Sequence, residues 1–423
     1  MTPRIVVVGN GLIGSAAACR LTELGVDVTV VGPAEPTDQA SRDAVFSSHY
    51  DEGRLVSAHG ADRTWAEVAR RAIDGFADLE RRSGVMFHVP VGRLAVVAGR
   101  NLDAVRSWAD RAAGAGADLR FWSPTDTSWR DRFPFLRVPA GFGLLSEGPP
   151  AGVVNPRVML RAQNLVAAQA GARFVEDRVV SLISHSSGVT ASTAGGSTVH
   201  ADRAVVAAGA FTNFADLVPE AIPLRLKTET TIRAAVSDAT AERCSALPAI
   251  TYDVDDPDID DIYLAPPIRY PDRVHRIKMG CNTANESWPT SLDEVSAWFR
   301  HGDSDLDLEP MERALRSLLP GIELLDVTTH RCIVTYTPSG YPTIDHAPGD
   351  EHRRVVIAVG GNGTGAQGSD TLGRLAAGLV HDDGWPDGIE RDGFRAHHLW
   401  DTPVRSLSNA QRRARGGQPG ETA

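Results

Sequence analysis

The chain has 423 residues, 42% of them hydrophobic and 23% charged, which is the balance of a folded globular protein and excludes wholesale disorder. Its 43 basic and 54 acidic residues leave a net charge of −11, which argues against a general nucleic-acid binder. At roughly 150 residues per domain the length predicts two to three domains, and no apolar run approaches the ~18 residues of a membrane span.

The first element is a fully apolar, β-branched run at 5–8, the pattern of a strand buried on both faces. Gly9-Asn10-Gly11-Leu12-Ile13-Gly14 follows, then a helix over 15–24 closed by Gly25, then a strand at 28–31. This is one βαβ unit. Gly9, Gly11 and Gly14 fit G-x-G-x-x-G. The first glycine permits the tight turn, the second lets backbone approach a pyrophosphate, and the third lets helix and strand pack closely. The helix N-terminus then offers free N–H groups to the phosphates. The acidic residue expected at the end of the second strand is replaced by Gly32. Glu35, three residues on, is the candidate ribose ligand.

Two further strands end in glycine turns: 203–208 before Gly209-Ala210-Phe211-Thr212, and 354–359 before Gly360-Gly361-Asn362-Gly363-Thr364-Gly365, with a helix over 369–380 after it. Three such strands predict one α/β sheet assembled from distant pieces, with its ligand outside the strands' carboxyl ends. Residues 1–85, 150–215 and 326–400 are expected to form this discontinuous dinucleotide domain. Residues 86–149 and 216–325 alternate in strand-like fashion, as at 94–97 and 262–265, and predict an inserted antiparallel-sheet substrate domain. Residues 402–423 are expected to form a flexible tail.

The four cysteines, Cys19, Cys244, Cys281 and Cys332, are too scattered for a disulfide scaffold or a C-x-x-C metal site. His397 and His398 are neighbours whose side chains should diverge, and no carboxylate spacing completes a site, so no metal is expected. The aspartate-rich stretch 253–261 reads as a solvated turn. With no signal-peptide pattern before the first strand, a cytoplasmic protein without a membrane partner is expected.

The glycine loop alone does not separate FAD from NAD. Val205-Val206-Ala207-Ala208-Gly209-Ala210-Phe211-Thr212 resembles a strand and turn that lie against flavin in FAD-dependent oxidoreductases of the D-amino-acid-oxidase type. Within that group the chain most resembles the monomeric sarcosine oxidase and pipecolate oxidase branch. His275-Arg276-Ile277-Lys278-Met279-Gly280 and 331–345 followed by 355–365 carry the rest of the likeness. The resemblance implies a Rossmann-type FAD domain with an inserted substrate domain. It implies hydride transfer from an amine or amino-acid derivative to flavin N5, and reoxidation by dioxygen to hydrogen peroxide. A dehydrogenase using another acceptor and an oxidase of a non-amine intermediate are the alternatives.

By the same resemblance Lys278 is the cation that assists oxygen. Its setting between Ile277 and Met279 is one where a lysine is costly without a task or a partner. Cys332, on its residues alone a buried small apolar group, becomes by the resemblance a covalent tether to FAD. Arg42, Val179, Ala208, Gly209, Gly361, Gly363 and Gly365 join Gly9, Gly11, Gly14 and Glu35 in the cofactor set. The family's arginine and lysine that clamp a substrate carboxylate correspond to Ser47 and Gln367, both uncharged, and its frequent histidine after the lysine is Asn282. His49, Arg42, Tyr263 and Gln367 are the remaining candidates for polar contact with the substrate.

Overall fold

The computed structural model describes residues 2–35, 46–59, 62–114 and 118–400. Arg42 and the expected tail lie outside the described residues. Among those described, no helix is long and apolar enough to cross a membrane.

A six-stranded sheet has the spatial order Thr343–His346, Val355–Val359, Arg203–Val206, Arg4–Val8, Asp27–Val31, Arg173–Val175. All neighbours are parallel except the first pair. Both faces are covered, which is why the central strands are apolar through most of their length. Ile5 and Val7 pack with the helices Leu12–Glu23, Pro156–Gln169 and Gly365–His381. Val6 and Val8 pack instead against a three-stranded meander, Val179–His185, Gly188–Thr193 and Thr198–Ala201. The first and last of the three helices nearly touch, since a Cβ on Gly373 would stand 2.4 Å from the Cβ of Ala16.

This topology positions the site. Val355–Val359, Arg203–Val206 and Arg4–Val8 are direct neighbours running the same way. The glycine turns that follow them therefore emerge side by side, although more than 300 residues separate the first from the last.

The second sheet has eight strands, ordered Asp326–Tyr336, Arg225–Val236, His275–Thr283, Ile259–Arg269, Ala249–Tyr252, Arg93–Val97, Gly143–Glu147, Leu119–Trp122. It is antiparallel apart from the Ala249–Tyr252 and Arg93–Val97 pair. Ile232, Ile277, Met279 and Leu264 from one face form a core with the amphipathic helix Leu308–Leu318. A small sheet of Arg54–Val56, Gly152–Val154 and His88–Val89 draws strands from both expected domains.

One expected boundary moves. The Asp326–Tyr336 strand was assigned to the dinucleotide domain, yet it pairs along its whole length with Arg225–Val236 in the eight-stranded sheet. Its eleven residues carry no glycine break, and a long partner strand offers a full hydrogen-bonding edge. The crossing back to the first sheet comes after Tyr336.

Candidate active site

Gly9 has φ +106°, and its amide donates to Val31 O at 2.8 Å. A Cβ there would stand 2.4 Å from Ala207 O in the neighbouring turn, so only glycine fits both the angle and the space. Gly14 serves packing, because a Cβ on it would stand 2.0 Å from Gly9 O. The helix Leu12–Glu23 begins with no side-chain cap and no acidic residue in its first turn. Its first amides are thus left for an anion. The helix Gly365–His381 begins in the same way. The loop before it is locked to the second sheet: Asn362 N donates to Thr335 O at 2.9 Å, and Asn362 Oδ1 accepts from Thr337 N at 2.9 Å.

A cavity of about 740 Å³ runs between the two large sheets and is lined by all three glycine turns. Its volume lies within the range of sites for sizeable organic ligands. Gly9, Gly11, Val179, Ala208, Gly209, Cys332, Gly361, Gly363 and Gly365 all line it, as do Ser47, His49, Tyr263 and Gln367.

The other expected residues fall elsewhere. Gly14 stands behind the loop. Glu35 is not in the cavity wall; Arg157 holds it through contacts of 2.6–3.0 Å. His49 was expected among substrate contacts, but the structure sets it against the first glycine turn. A Cβ on Gly11 would stand 4.0 Å from its Nδ1. Its ring packs on Tyr50, and burial with Arg157 and Arg54 nearby pushes its pKa down to about 3.

Lys278 is 1% exposed and lies beneath the cavity wall. Its ammonium donates to Gly53 O at 3.0 Å, pairs with Asp51 Oδ2 at 2.5 Å, and stands 5.3 Å from the centroid of the Tyr263 ring. Burial and the nearby Arg54 push it down to about 8, against the pull of Asp51. Asp51 also pairs with Arg54 and, at 3.5 Å, with Arg233. Despite burial, these cations hold its carboxyl well below the usual range.

Tyr263 OH donates to Glu229 Oε1 at 2.7 Å. Glu229 sits opposite Cys332 in the register of adjacent strands, and both line the cavity. Burial raises the Cys332 thiol, while Arg54 and Lys278 draw it toward the thiolate that bond formation requires.

Five charged groups at or beneath the cavity wall carry no signal in the sequence: Asp51, Arg54, Arg93, Glu229 and Asp261. Asp51 and Arg54 carried no motif, and Arg93 reads as an ordinary strand-start arginine. Asp261, assigned to a solvated turn, lines the cavity and accepts from Asn282 Nδ2 at 3.0 Å. A φ of +51° at Asp261, beside an irregularity in pairing, turns it inward. His397 and His398 do not diverge as expected: their rings lie with centroids 4.3 Å apart, tilted by 33°, and His398 Nε2 lies 2.7 Å from Asp392 O. The Asp392, His397 and His398 ligand atoms lie within 4.8 Å of one another, at the surface.

The residues present fit FAD. Two helix N-termini without side-chain caps face the cavity, glycines at 9 and 11 leave the backbone of the first turn open to it, and the buried Asn10 Oδ1 in the same turn has no protein partner.

Comparison with known proteins agrees. The family described as FAD dependent oxidoreductase matches residues 4–379. The chain is 24% identical over 384 residues to N-methyl-L-tryptophan oxidase of Yersinia pestis (strain Pestoides F), covering 89% of this chain and 95% of that protein. It shares its fold with NikD, an unusual amino acid oxidase essential for nikkomycin biosynthesis, at a TM-score of 0.73 and 17% identity, over 93% of this chain and 98% of that one. It is also similar to glycine oxidase from Geobacillus kaustophilus, at a TM-score of 0.69 and 19% identity, over 96% and 100%.

Proposed function

The chain belongs to the family of FAD-dependent oxidoreductases, and from that premise we propose that it oxidises a carbon–nitrogen bond of an amine or amino-acid derivative and passes the electrons to dioxygen. When bound, FAD supplies the hydride acceptor and the path to hydrogen peroxide. Gly9, Gly11 and the amides of the first helix would hold its pyrophosphate, and the amides of the loop Gly360–Gly365 and of the helix after it would be available to its ring. Cys332, in the same cavity wall, is the residue that would tether it.

The protein's own residues prepare the substrate. The cavity lies between two sheets and is mostly apolar, and an apolar wall around a bound amine favours the neutral form whose lone pair drives hydride loss. Glu229, held by Tyr263, is the acceptor for a proton or an N–H at this end of the cavity. Lys278 puts a positive charge behind Tyr263, where negative charge on oxygen would develop. The observation that carries the reading is the convergence of three glycine turns on one cavity, with a buried lysine behind its wall.

One observation favours a second reading. Asp51 neutralises much of the field of Lys278, which would suit a dehydrogenase that shields its flavin from oxygen. The test is turnover under air with a panel of primary, secondary and N-methyl amines. Hydrogen peroxide formed in step with the imine's hydrolysis products supports the oxidase. Turnover with an artificial acceptor but none with oxygen selects the dehydrogenase. A purified protein that holds no flavin refutes both.

A further inference from the structure

The cations around the cavity divide into two kinds. Arg54 and Lys278 share the Asp51 carboxylate. Arg93 and Arg178 have no carboxylate within ion-pair distance among the described residues, and Arg178 stands beside Val179, on the meander away from the second sheet. Arg93 differs from Arg178 in its place. It starts the strand Arg93–Val97 and lines the cavity from the second sheet. Nη2 donates to Thr251 Oγ1 at 3.1 Å and Nη1 to Ser57 Oγ at 3.3 Å.

Glu147 lies opposite Arg93 in the register, yet its carboxylate is already engaged. Ser57 Oγ donates to its Oε2 at 2.5 Å, Ala58 N donates to its Oε1 at 2.8 Å, and His59 Nδ1 lies 3.0 Å from Oε1. Arg93 is left as a half-buried guanidinium facing the cavity, answered directly by two hydroxyls and by Glu147 only through Ser57. A cation in that state gains from a ligand that brings the opposite charge.

We infer that Arg93, with Thr251 and Ser57, forms the subsite for a carboxylate of the substrate. The sheet explains the placement. Thr251 pairs with Tyr263, and Tyr263 with Gly280, so all three share one face with Lys278 and with Arg93. The Thr251 strand is two strands from that of Lys278, roughly 10 Å at ~4.8 Å per strand. The anchor therefore sits beyond the reacting end, across Tyr263. The guanidinium fork matches a planar carboxylate. Glu147 close behind it disfavours a dianion, which selects a carboxylate over a phosphate. Glu229 and Asp261 supply negative charge toward the Cys332 side, so the cavity is polarised for an amine at one end and a carboxylate at the other.

This inference rests on the proposed amine oxidation but is tested by binding alone. The FAD-loaded enzyme is titrated with benzoate and, as a neutral match, benzamide, with the flavin absorption spectrum as readout. The wild type is expected to bind benzoate at least tenfold more tightly than benzamide. Arg93→Gln is expected to weaken benzoate binding about 10- to 100-fold and to leave benzamide and flavin content unchanged. Thr251→Val is expected to weaken benzoate only a few-fold. Should Arg93→Gln lose its flavin, Arg93→Lys carries the test, because it keeps the charge and loses the fork; several-fold weaker benzoate with unchanged benzamide is expected. No benzoate preference in the wild type, or a preference that survives both Arg93 variants, overturns the subsite. An enzyme that binds benzoate through Arg93 and oxidises no amine overturns the functional reading and leaves the subsite standing.

Discussion

Replacing Lys278 with Met removes a charge and keeps most of the side-chain volume, so it isolates the electrostatic role. The Tyr263 ring between Nζ and the cavity lies 5.3 Å from Nζ. An anion formed on the cavity side stands at about that distance or beyond. At an effective dielectric near 20 the attraction is about 3 kcal/mol, on the order of a hundredfold in rate. Asp51, 2.5 Å from Nζ, cancels part of that field, so a loss of roughly ten- to a hundredfold is expected. The variant should fold. Asp51 keeps Arg54 and Arg233, so no carboxylate is stranded, and the destabilisation stays below the ~3–5 kcal/mol of a broken isolated pair. The assay reduces both proteins without oxygen, mixes them with buffer of known oxygen content, and follows the return of the oxidised flavin spectrum. Reduction by substrate is timed separately and should change far less. Because the ammonium is pushed down to about 8, the wild-type oxygen reaction should slow as pH rises through that value, and the variant should lack this step. Equal oxygen rates in the two proteins would remove Lys278 from the mechanism.

Gly9→Ala forces a Cβ to within 2.4 Å of Ala207 O at a φ of +106°, and should cost about 2–4 kcal/mol and most of the bound flavin, read as the flavin-to-protein ratio after purification. Acid precipitation of the wild type should leave yellow colour in the pellet, and Cys332→Ser should move it to the supernatant; colour in the wild-type supernatant would refute the tether. His49 gives a pH dependence of stability with a definite sign. The unfolded chain takes up its proton near 6.5, whereas the folded chain resists until about 3, so stability is complete above 6.5 and falls on acidification. Between pH 6.5 and 5 the flavin-free wild type should lose up to about 1.4 kcal/mol per pH unit more than His49→Gln, measured by denaturant unfolding.

The parts of this site that were legible in the sequence are those whose chemistry is local. A strand, a glycine turn and a helix start occupy consecutive residues, and the reason for each glycine is the backbone beside it. Gly9 and Gly363 could be expected at the cavity for that reason, and both line it. Lys278 could be flagged because an ammonium between Ile277 and Met279 needs an explanation wherever it lies. What could not be read were the partners. Glu35 meets Arg157 across 122 residues, and nothing near either residue announces the other. Asp51 acquires its role only when the strands of Lys278 and Arg233 fold beside it. The boundary at 326 failed because a strand's sheet is chosen by the edge it finds, here Arg225–Val236, and its own residues do not name that edge.

The same distinction separates two uses of buried charge in this cavity. Lys278, Arg54 and Asp51 balance one another within the protein, so their cost is met on folding and their field is fixed before any ligand arrives. Such a cluster can stabilise charge that develops during reaction without reorganising. Arg93 is answered directly by two hydroxyls, with Glu147 reached only through Ser57, so its charge is met in full only when an anion binds. A group of that kind contributes affinity and orientation rather than rate. Because the eight-stranded sheet sets Arg93 and Lys278 on one face but three strands apart, the two functions do not compete for the same counter-charge. A substrate that spans them is held at its far end by the unpaid charge, and its reacting end is presented to the pre-balanced one.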